Sequence, residues 1–291
     1  MSVPVLLNNL QRKLGGVTVL KGISAQVLPG QVIALLGKNG SGKTTLLETI
    51  LGFGFPSTGE ATLWDVHATE IDGEIKQRIG FVPQQDELLP SLNGWEHLAL
   101  FKAYHQHWNQ ALVDKLIVEW LIPMDTYVGK MSLGQRQKLS ILLAIAHEPE
   151  LLVLDEPVAS LDPIARRQFL QQLVEIAADG TRSVIFSTHI VADVERVANQ
   201  VWMMREGELA YQGELDALKE SFARVHLHAP EPLPPQLNFP GLYRQRVEGK
   251  QAQLIFNPWQ ESLKQQLASA YNTQVQVDFL GLEDIFLELN S

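Results

Sequence analysis

The octapeptide Gly37-Lys38-Asn39-Gly40-Ser41-Gly42-Lys43-Thr44 constrains this chain more than any other feature, because it fits the spacing G-x-x-x-x-G-K-[ST]. The apolar run Val32–Leu36 precedes it, and a helix-like stretch, Lys43–Leu51, follows. A glycine-rich turn between a buried strand and a helix lets backbone N–H groups curl around an anionic oxygen, and the helix N-terminus adds partial positive charge. In such a loop Lys43 reaches β- and γ-phosphates, and the Thr44 hydroxyl is placed to ligate Mg²⁺. A glycine turn of purely structural use needs neither the lysine nor the hydroxyl.

The rest of the first 200 residues repeats the same rhythm. Leu151–Leu154 and Val184–Phe186 are short, almost wholly apolar segments, as expected of strands buried on both faces of a parallel sheet. Helix-like stretches follow at Pro163–Ala178 and Ile190–Asn199, and Gly180 supplies a helix stop. This alternation predicts α/β architecture with ligands at the carboxyl ends of the strands. From Asp86 to about Leu121 the strand signal fades, and two helices are expected near Gly94–His105 and Asn109–Leu121. After Gln200 come a hairpin around Glu206-Gly207, a stiff passage with Pro230, Pro232, Pro234 and Pro235, and a second hairpin around Glu248-Gly249-Lys250. A helix near Trp259–Tyr271, a strand Val275–Leu280 and a helix Leu282–Leu289 complete a small α+β appendage.

The second half of the candidate site is Leu151-Leu152-Val153-Leu154-Asp155-Glu156, a buried strand ending in two carboxylates. Successive strand side chains point to opposite faces, so the two need not share one task. Asp155 is placed to hold Mg²⁺ through water, and Glu156 to polarise an attacking water. Alone, this would read as a solvated acidic strand end; the Gly37–Thr44 loop gives it a partner.

Four further elements follow in a fixed order: Gly80-Phe81-Val82-Pro83-Gln84, Met131-Ser132-Leu133-Gly134-Gln135, Ser160-Leu161-Asp162, and His189 after the Val184–Phe186 strand. With them the chain resembles the ATP-binding-cassette (ABC) ATPases over residues 5 to about 215, matching in turn that family's Q-loop, LSGGQ signature, D-loop and switch histidine. The resemblance implies a P-loop NTPase domain over 1–221 with a helical subdomain at about 86–140, and an accessory α+β domain over 222–291. It implies catalytic roles for Glu156, His189, Gln84 and Lys43. Nucleotide contacts would come from Gly37, Asn39, Gly40, Ser41, Gly42, Lys43, Thr44, Thr45, Ser132, Gly134, Gln135 and Asp162. Mg²⁺ would lie at Thr44, Gln84 and Asp155, and ATP would be the substrate.

Ser132 opens the helix-like stretch Gly134–His147, where free N–H groups make a second anion site. The family pairs that site with the glycine loop of a second subunit, so a head-to-tail homodimer or heterodimer is expected, with two-fold exchange of residues. Two positions depart from the family pattern: Leu133 replaces the first glycine of the signature, and Leu14 stands where many relatives carry an aromatic that stacks on adenine. The closing residues 282–289 are similar to those of exporter-type ABC ATPases of the drug-resistance and sodium-extrusion kind, while Leu282, Ile285, Phe286 and Leu289 by themselves form an apolar docking stripe. His97, Phe101 and His105 share a helix face, better suited to packing or partner contact than to a metal.

Composition narrows the partners. The 23 Lys+Arg and 33 Asp+Glu of the 291 residues leave a net charge of −10, a poor match to a phosphate-gripping surface, so no nucleic acid is expected. No apolar run reaches the 18 residues or more of a membrane span, the first residues lack signal-peptide order, and there is no cysteine. The expectation is a peripheral subunit on the cytoplasmic face of the inner membrane, driving a polytopic permease on a separate chain, with export as the expected direction. The rivals are a DNA- or ribosome-associated ABC ATPase and an ATP-dependent membrane scaffold. The former usually need a long coiled coil or two cassettes per chain, and the scaffold has no use for Glu156 and His189.

Overall fold

Three β-strands precede the glycine loop and shape its surroundings. The computed structural model describes residues 2–85 and 87–290; Asp86, the expected start of the helical insertion, lies outside the described residues. The chain divides into two units, Met1–Gln212 and Gly213–Ser291.

In the first unit, β1 (Val5–Leu14) and β2 (Val17–Val27) form an antiparallel hairpin, Val5 opposite Val27 and Leu14 opposite Val17. β3 (Val32–Gly37) is buried along its whole length, and α1 (Lys43–Ile50) follows the glycine loop. β4 (Thr58–Leu63) and β5 (Val66–His67) extend the hairpin into a sheet ordered β2-β1-β4-β5. A short helix α2 (Gly73–Gln77), capped by Asp72, leads into β6 (Ile79–Val82).

The insertion holds α3 (Gly94–Tyr104) and α4 (Gln110–Glu119), and the chain returns through α5 (Leu133–Ile145). Each start has a side-chain cap: Asn93 with Glu96 and Ser132 with Gln135 form reciprocal capping boxes, and Asn109 accepts from Leu112 N. Then come β7 (Leu151–Leu154), α6 (Pro163–Ala177), β8 (Ser183–Thr188), α7 (Val191–Val197), β9 (Gln200–Arg205) and β10 (Glu208–Glu214).

The second sheet is ordered β10-β9-β3-β8-β7-β6, and β9, β3, β8, β7 and β6 run parallel. β3 and β7 are apolar and buried along their whole length because both faces of the sheet are covered there. Leu46, Leu47 and Ile50 of α1 pack into one core with Val5, Leu7 and Leu10 of one sheet and Ile33, Leu35 and Val153 of the other. The helix that follows the glycine loop is thus clamped between two sheets. Register places the ends that matter side by side: Leu36 beside Thr188, Leu154 beside Phe186, Val82 beside Leu154. Residues just past four neighbouring strands therefore meet in one crevice, as the rule for open parallel sheets predicts.

The second unit begins in β10 and continues through α8 (Leu215–Ser221), β11 (Ala223–His228), β12 (Leu242–Glu248), β13 (Gln251–Phe256), α9 (Ser262–Tyr271), β14 (Val275–Phe279) and α10 (Leu282–Leu289). Its antiparallel sheet is ordered β12-β13-β11-β14. Val225, Leu254 and Phe256 pack there with Leu263 and Leu267 of α9. On α10 the stripe works as the sequence suggests: Leu282, Ile285 and Leu289 are buried and Phe286 is half-buried.

Candidate functional site

Gly42 is the N-cap of α1, with φ of 105° and no side-chain cap bond, so the first N–H groups of the helix face outward with no internal acceptor. A side chain at Gly37 would run into Ser41 Oγ and sit 2.9 Å from Met204 O. Ser41 Oγ is buried without a hydrogen-bond partner, an unusual vacancy for a hydroxyl in a close-packed loop. Lys43 Nζ donates to Gly37 O at 2.8 Å and also stands 3.4 Å from Glu156 Oε1. Free N–H groups, an orphaned hydroxyl and a buried ammonium together form a cradle for an anion.

Past β7, Asp155 and Glu156 diverge as their alternation predicts. Ser187, fully buried on β8, donates its hydroxyl to Asp155 Oδ1 at 2.5 Å and accepts from Glu156 N at 2.8 Å. One side chain therefore locks both carboxylate residues. Glu156 has φ of 49°, a left-handed conformation that costs a non-glycine residue about 1 kcal/mol or more and persists only where the surroundings enforce it. That turn aims its carboxylate at Lys43 and at His189, whose ring Nδ1 donates to Glu156 Oε2 at 2.9 Å.

Two cavities open on these groups. One of about 380 Å³ is lined by Asn39, Gly40, Gly42, Lys43, Thr44 and Thr45 with Gln84 and Glu156, and by Leu14 and Val19. The other, about 650 Å³, brings Thr44, Gln84 and Asp155 together beside an apolar wall of Phe53, Phe81 and Phe101. A hydroxyl, an amide carbonyl and a carboxylate are hard oxygen donors. They suit Mg²⁺, which keeps several waters and takes further ligands from phosphates. Ser132, Gly134, Gln135, Asp162 and His189 line neither cavity. Ser132 and Gln135 satisfy each other in their capping box, and Asp162 caps α6 by accepting from Ile164 N and Ala165 N, both at 2.9 Å. Those bonds, the one from Ala165 first, hold the Asp162 carboxyl below its ordinary value.

Two supporting residues escaped the sequence reading. Ser187 carries no motif, and only its place one strand over from Asp155 reveals it. Arg12 of β1 is buried and donates to Thr45 O at 3.3 Å, Thr49 Oγ1 at 3.1 Å and Glu48 Oε2 at 3.2 Å, bracing the outer face of α1. Arg12 sits among Asn8, Asn9, Gln11 and Lys13 in the same strand, so no local pattern singles it out. The insertion histidines go separate ways. His97 is a structural residue bonded to Asn93 O and Leu89 N, His105 stacks on His147, and His107 meets Glu148. Among the described residues no cluster of three or more His, Asp or Glu is arranged to hold a metal ion by itself.

A glycine loop on a buried strand, a lysine at a helix start and a carboxylate pair two parallel strands away define a P-loop nucleoside triphosphatase. The ABC transporter family profile matches residues 20–159. Over 99% of its length the chain is 30% identical to an uncharacterized ABC transporter ATP-binding protein, YdbJ, of Bacillus subtilis (strain 168), covering 96% of that protein. It is 33% identical over 80% of its length to the Nod factor export ATP-binding protein I of Burkholderia orbicola (strain AU 1054), of which 79% is covered. A dimeric ATP-binding cassette solved in a post-hydrolysis state with ADP and Pi superposes with a TM-score of 0.62 at 25% identity, over 72% of this chain and 98% of that one. The chain belongs to the ABC transporter ATP-binding subunits, an ATPase family whose hydrolysis is coupled to transport.

Proposed function

We propose that the chain hydrolyses ATP with Mg²⁺ as one of two ATPase subunits that close head to tail and drive a separate permease, for export. The observation that carries this reading is the convergence of Lys43, Glu156 and His189, with Glu156 Oε1 3.4 Å from Lys43 and Oε2 2.9 Å from His189. A triphosphate in the glycine loop offers Lys43 a stronger anionic partner than one carboxylate oxygen. Lys43 then leaves Glu156 free to accept a proton from water, and His189 steadies the carboxylate and the terminal phosphate region. Mg²⁺ bound at Thr44, Gln84 and Asp155 would supply charge neutralisation on the phosphates. The protein contributes positioning and electrostatics, with little covalent chemistry of its own.

The dimer is supported by the capped α5 start at Ser132, which lies outside both cavities of its own chain and so is open to a second copy's nucleotide. It is also supported by the dimeric cassette of similar fold. Export is supported by the Nod factor export relative. Among the described residues no helix is long and apolar enough to cross a membrane, which fits a permease on another chain and a peripheral place at the inner face of the membrane. Light scattering of Glu156→Gln with ATP and Mg²⁺ tests closure: the expected mass is twice 32.5 kDa. A monomer at every nucleotide concentration removes closure. Copurification from gently solubilised membranes tests the permease: a stoichiometric multi-span protein is expected, and soluble partners alone would point to a non-transport ATPase.

A further inference from the structure

His189 bonds Glu156, yet its own side chain is 54% exposed, so packing does not fix the ring. Its place follows from the backbone between β8 and α7, and α7 begins weakly. Ile190, the N-cap of that helix, makes no side-chain cap bond. One turn on stands Asp193, only 1% exposed. Arg166 of α6 donates from Nε to Asp193 Oδ1 at 2.7 Å, and its Nη2 stands 2.6 Å from the same oxygen. Asp193 Oδ2 is buried without a hydrogen-bond partner, so the guanidinium is what compensates this charge. Asp193 N donates to Ile190 O at 3.2 Å, which carries the link back to the residue beside His189. At the other end, Arg166 N donates to Asp162 O at 2.9 Å in the first turn of α6, the helix that Asp162 caps.

We infer that Arg166 and Asp193 are positioning residues for hydrolysis: their ion pair ties the first turn of α7 to the first turn of α6 and so holds His189 where its Nδ1 meets Glu156 Oε2. The inference rests on the reading of Glu156 and His189 as the pair that acts at the terminal phosphate, and goes beyond it to what keeps them together. Neither Arg166 nor Asp193 lines a cavity at the glycine loop, so their effect passes through His189. An arginine fork on a carboxylate fixes direction as well as distance, and separating the two strands a charge in the interior. Apolar contact is non-directional and would let the same two helices slide. A catalytic group displaced by about 1 Å can cost on the order of a hundredfold in rate. The link therefore matters to turnover, while nucleotide affinity is left to the glycine loop.

The test is a double-mutant cycle in the full chain, read by single-turnover ATP hydrolysis, titration with a fluorescent ATP analogue, and thermal melting. Asp193→Leu removes the carboxylate, and Arg166, whose side chain is 28% exposed, is free to turn to water. Hydrolysis is expected to slow by roughly ten- to a hundredfold while nucleotide affinity stays within about twofold. In a His189→Ala background the same change is expected to cost nothing further, because the ring it positions is gone. Should Asp193→Leu melt well below the parent, adding Arg166→Met removes the stranded cation, and the cycle is run with that pair. Parental turnover in Asp193→Leu would overturn the inference, as would a loss of affinity as large as the loss of rate. Losses that multiply in the His189→Ala background would overturn it too, by showing that the ion pair serves the fold alone. If His189→Ala itself hydrolyses at the parent's rate, the role given to His189 falls and takes this inference with it, a result distinct from failure of the ion pair alone.

Discussion

Lys43 Nζ and Glu156 Oε1 stand 3.4 Å apart, each side chain only 7% exposed. A lysine and a carboxylate so buried persist because each compensates the other, and a charge left alone there is costly. Glu156→Gln keeps the shape and the bond to His189 but removes the group that takes the proton. That variant is expected to retain nucleotide binding and lose turnover by about a hundredfold or more, read by single-turnover hydrolysis beside a binding titration. Near-normal turnover would remove Glu156 as the base.

Ser187→Ala breaks two bonds at once, the 2.5 Å bond to Asp155 Oδ1 and the 2.8 Å bond from Glu156 N. Both partners are buried, so each is left wanting and stability should fall by roughly 1–3 kcal/mol in urea unfolding. Glu156 also loses the anchor of its left-handed backbone, and turnover should fall more than nucleotide affinity does. Equal losses in the two would mean that Ser187 serves stability alone.

The contrast between Ser187 and the glycine loop shows what the sequence makes legible. Gly37–Thr44, the apolar runs at Val32, Leu151 and Val184 and the order of the later motifs lie in local patterns, and the parallel sheet with its crevice followed from them. The antiparallel sheet did not. In β1 the burial pattern breaks between Leu7 and Leu10, where Asn9 has φ of 46° and the pairing register shifts, so alternation of apolar and polar residues fails as a guide. The four-residue β6 and five-residue α2 are too short to show a period. Ser187 and Arg12 act across strand and helix neighbours 31 to 37 residues away in sequence, a distance no local pattern spans.

Gly37→Ala should cost nucleotide affinity more than fold stability. Its methyl group would collide with Ser41 Oγ and press on Met204 O, forcing the loop open where the anion sits. Gly73→Ala is the control away from both anion sites: nothing lies within 4 Å of its added Cβ, and the helical backbone of α2 accepts alanine. Affinity for the fluorescent nucleotide should drop at least tenfold in the first variant and stay close to that of the parent in the isolated second one. Comparable affinities in both would mean that the crowding at Gly37 is relieved without moving the loop.

His147, at the end of α5, stacks on His105 with ring centroids 3.9 Å apart, while its Nε2 bonds Ile79 O at 3.1 Å. Burial, and then repulsion from His105, lower its pKa from 6.5 to about 4; burial lowers that of His105 as well. A histidine depressed in the folded state binds its proton more readily when unfolded, so its contribution to stability is complete above pH 6.5 and is lost as pH falls toward 4. Glu148 nearby titrates lower: its carboxyl is held below 4.5, chiefly by the His107 hydrogen bond. Its own loss therefore belongs below that value. Between pH 7.5 and 5.5 the His147 contribution should shrink by on the order of 1 kcal/mol. That lowers the melting temperature by roughly 2–4 °C. His147→Gln removes the titration, so its melting temperature should start lower and depend less steeply on pH across this window. Parallel slopes for the two proteins would show that the stacked pair does not govern acid stability in this range.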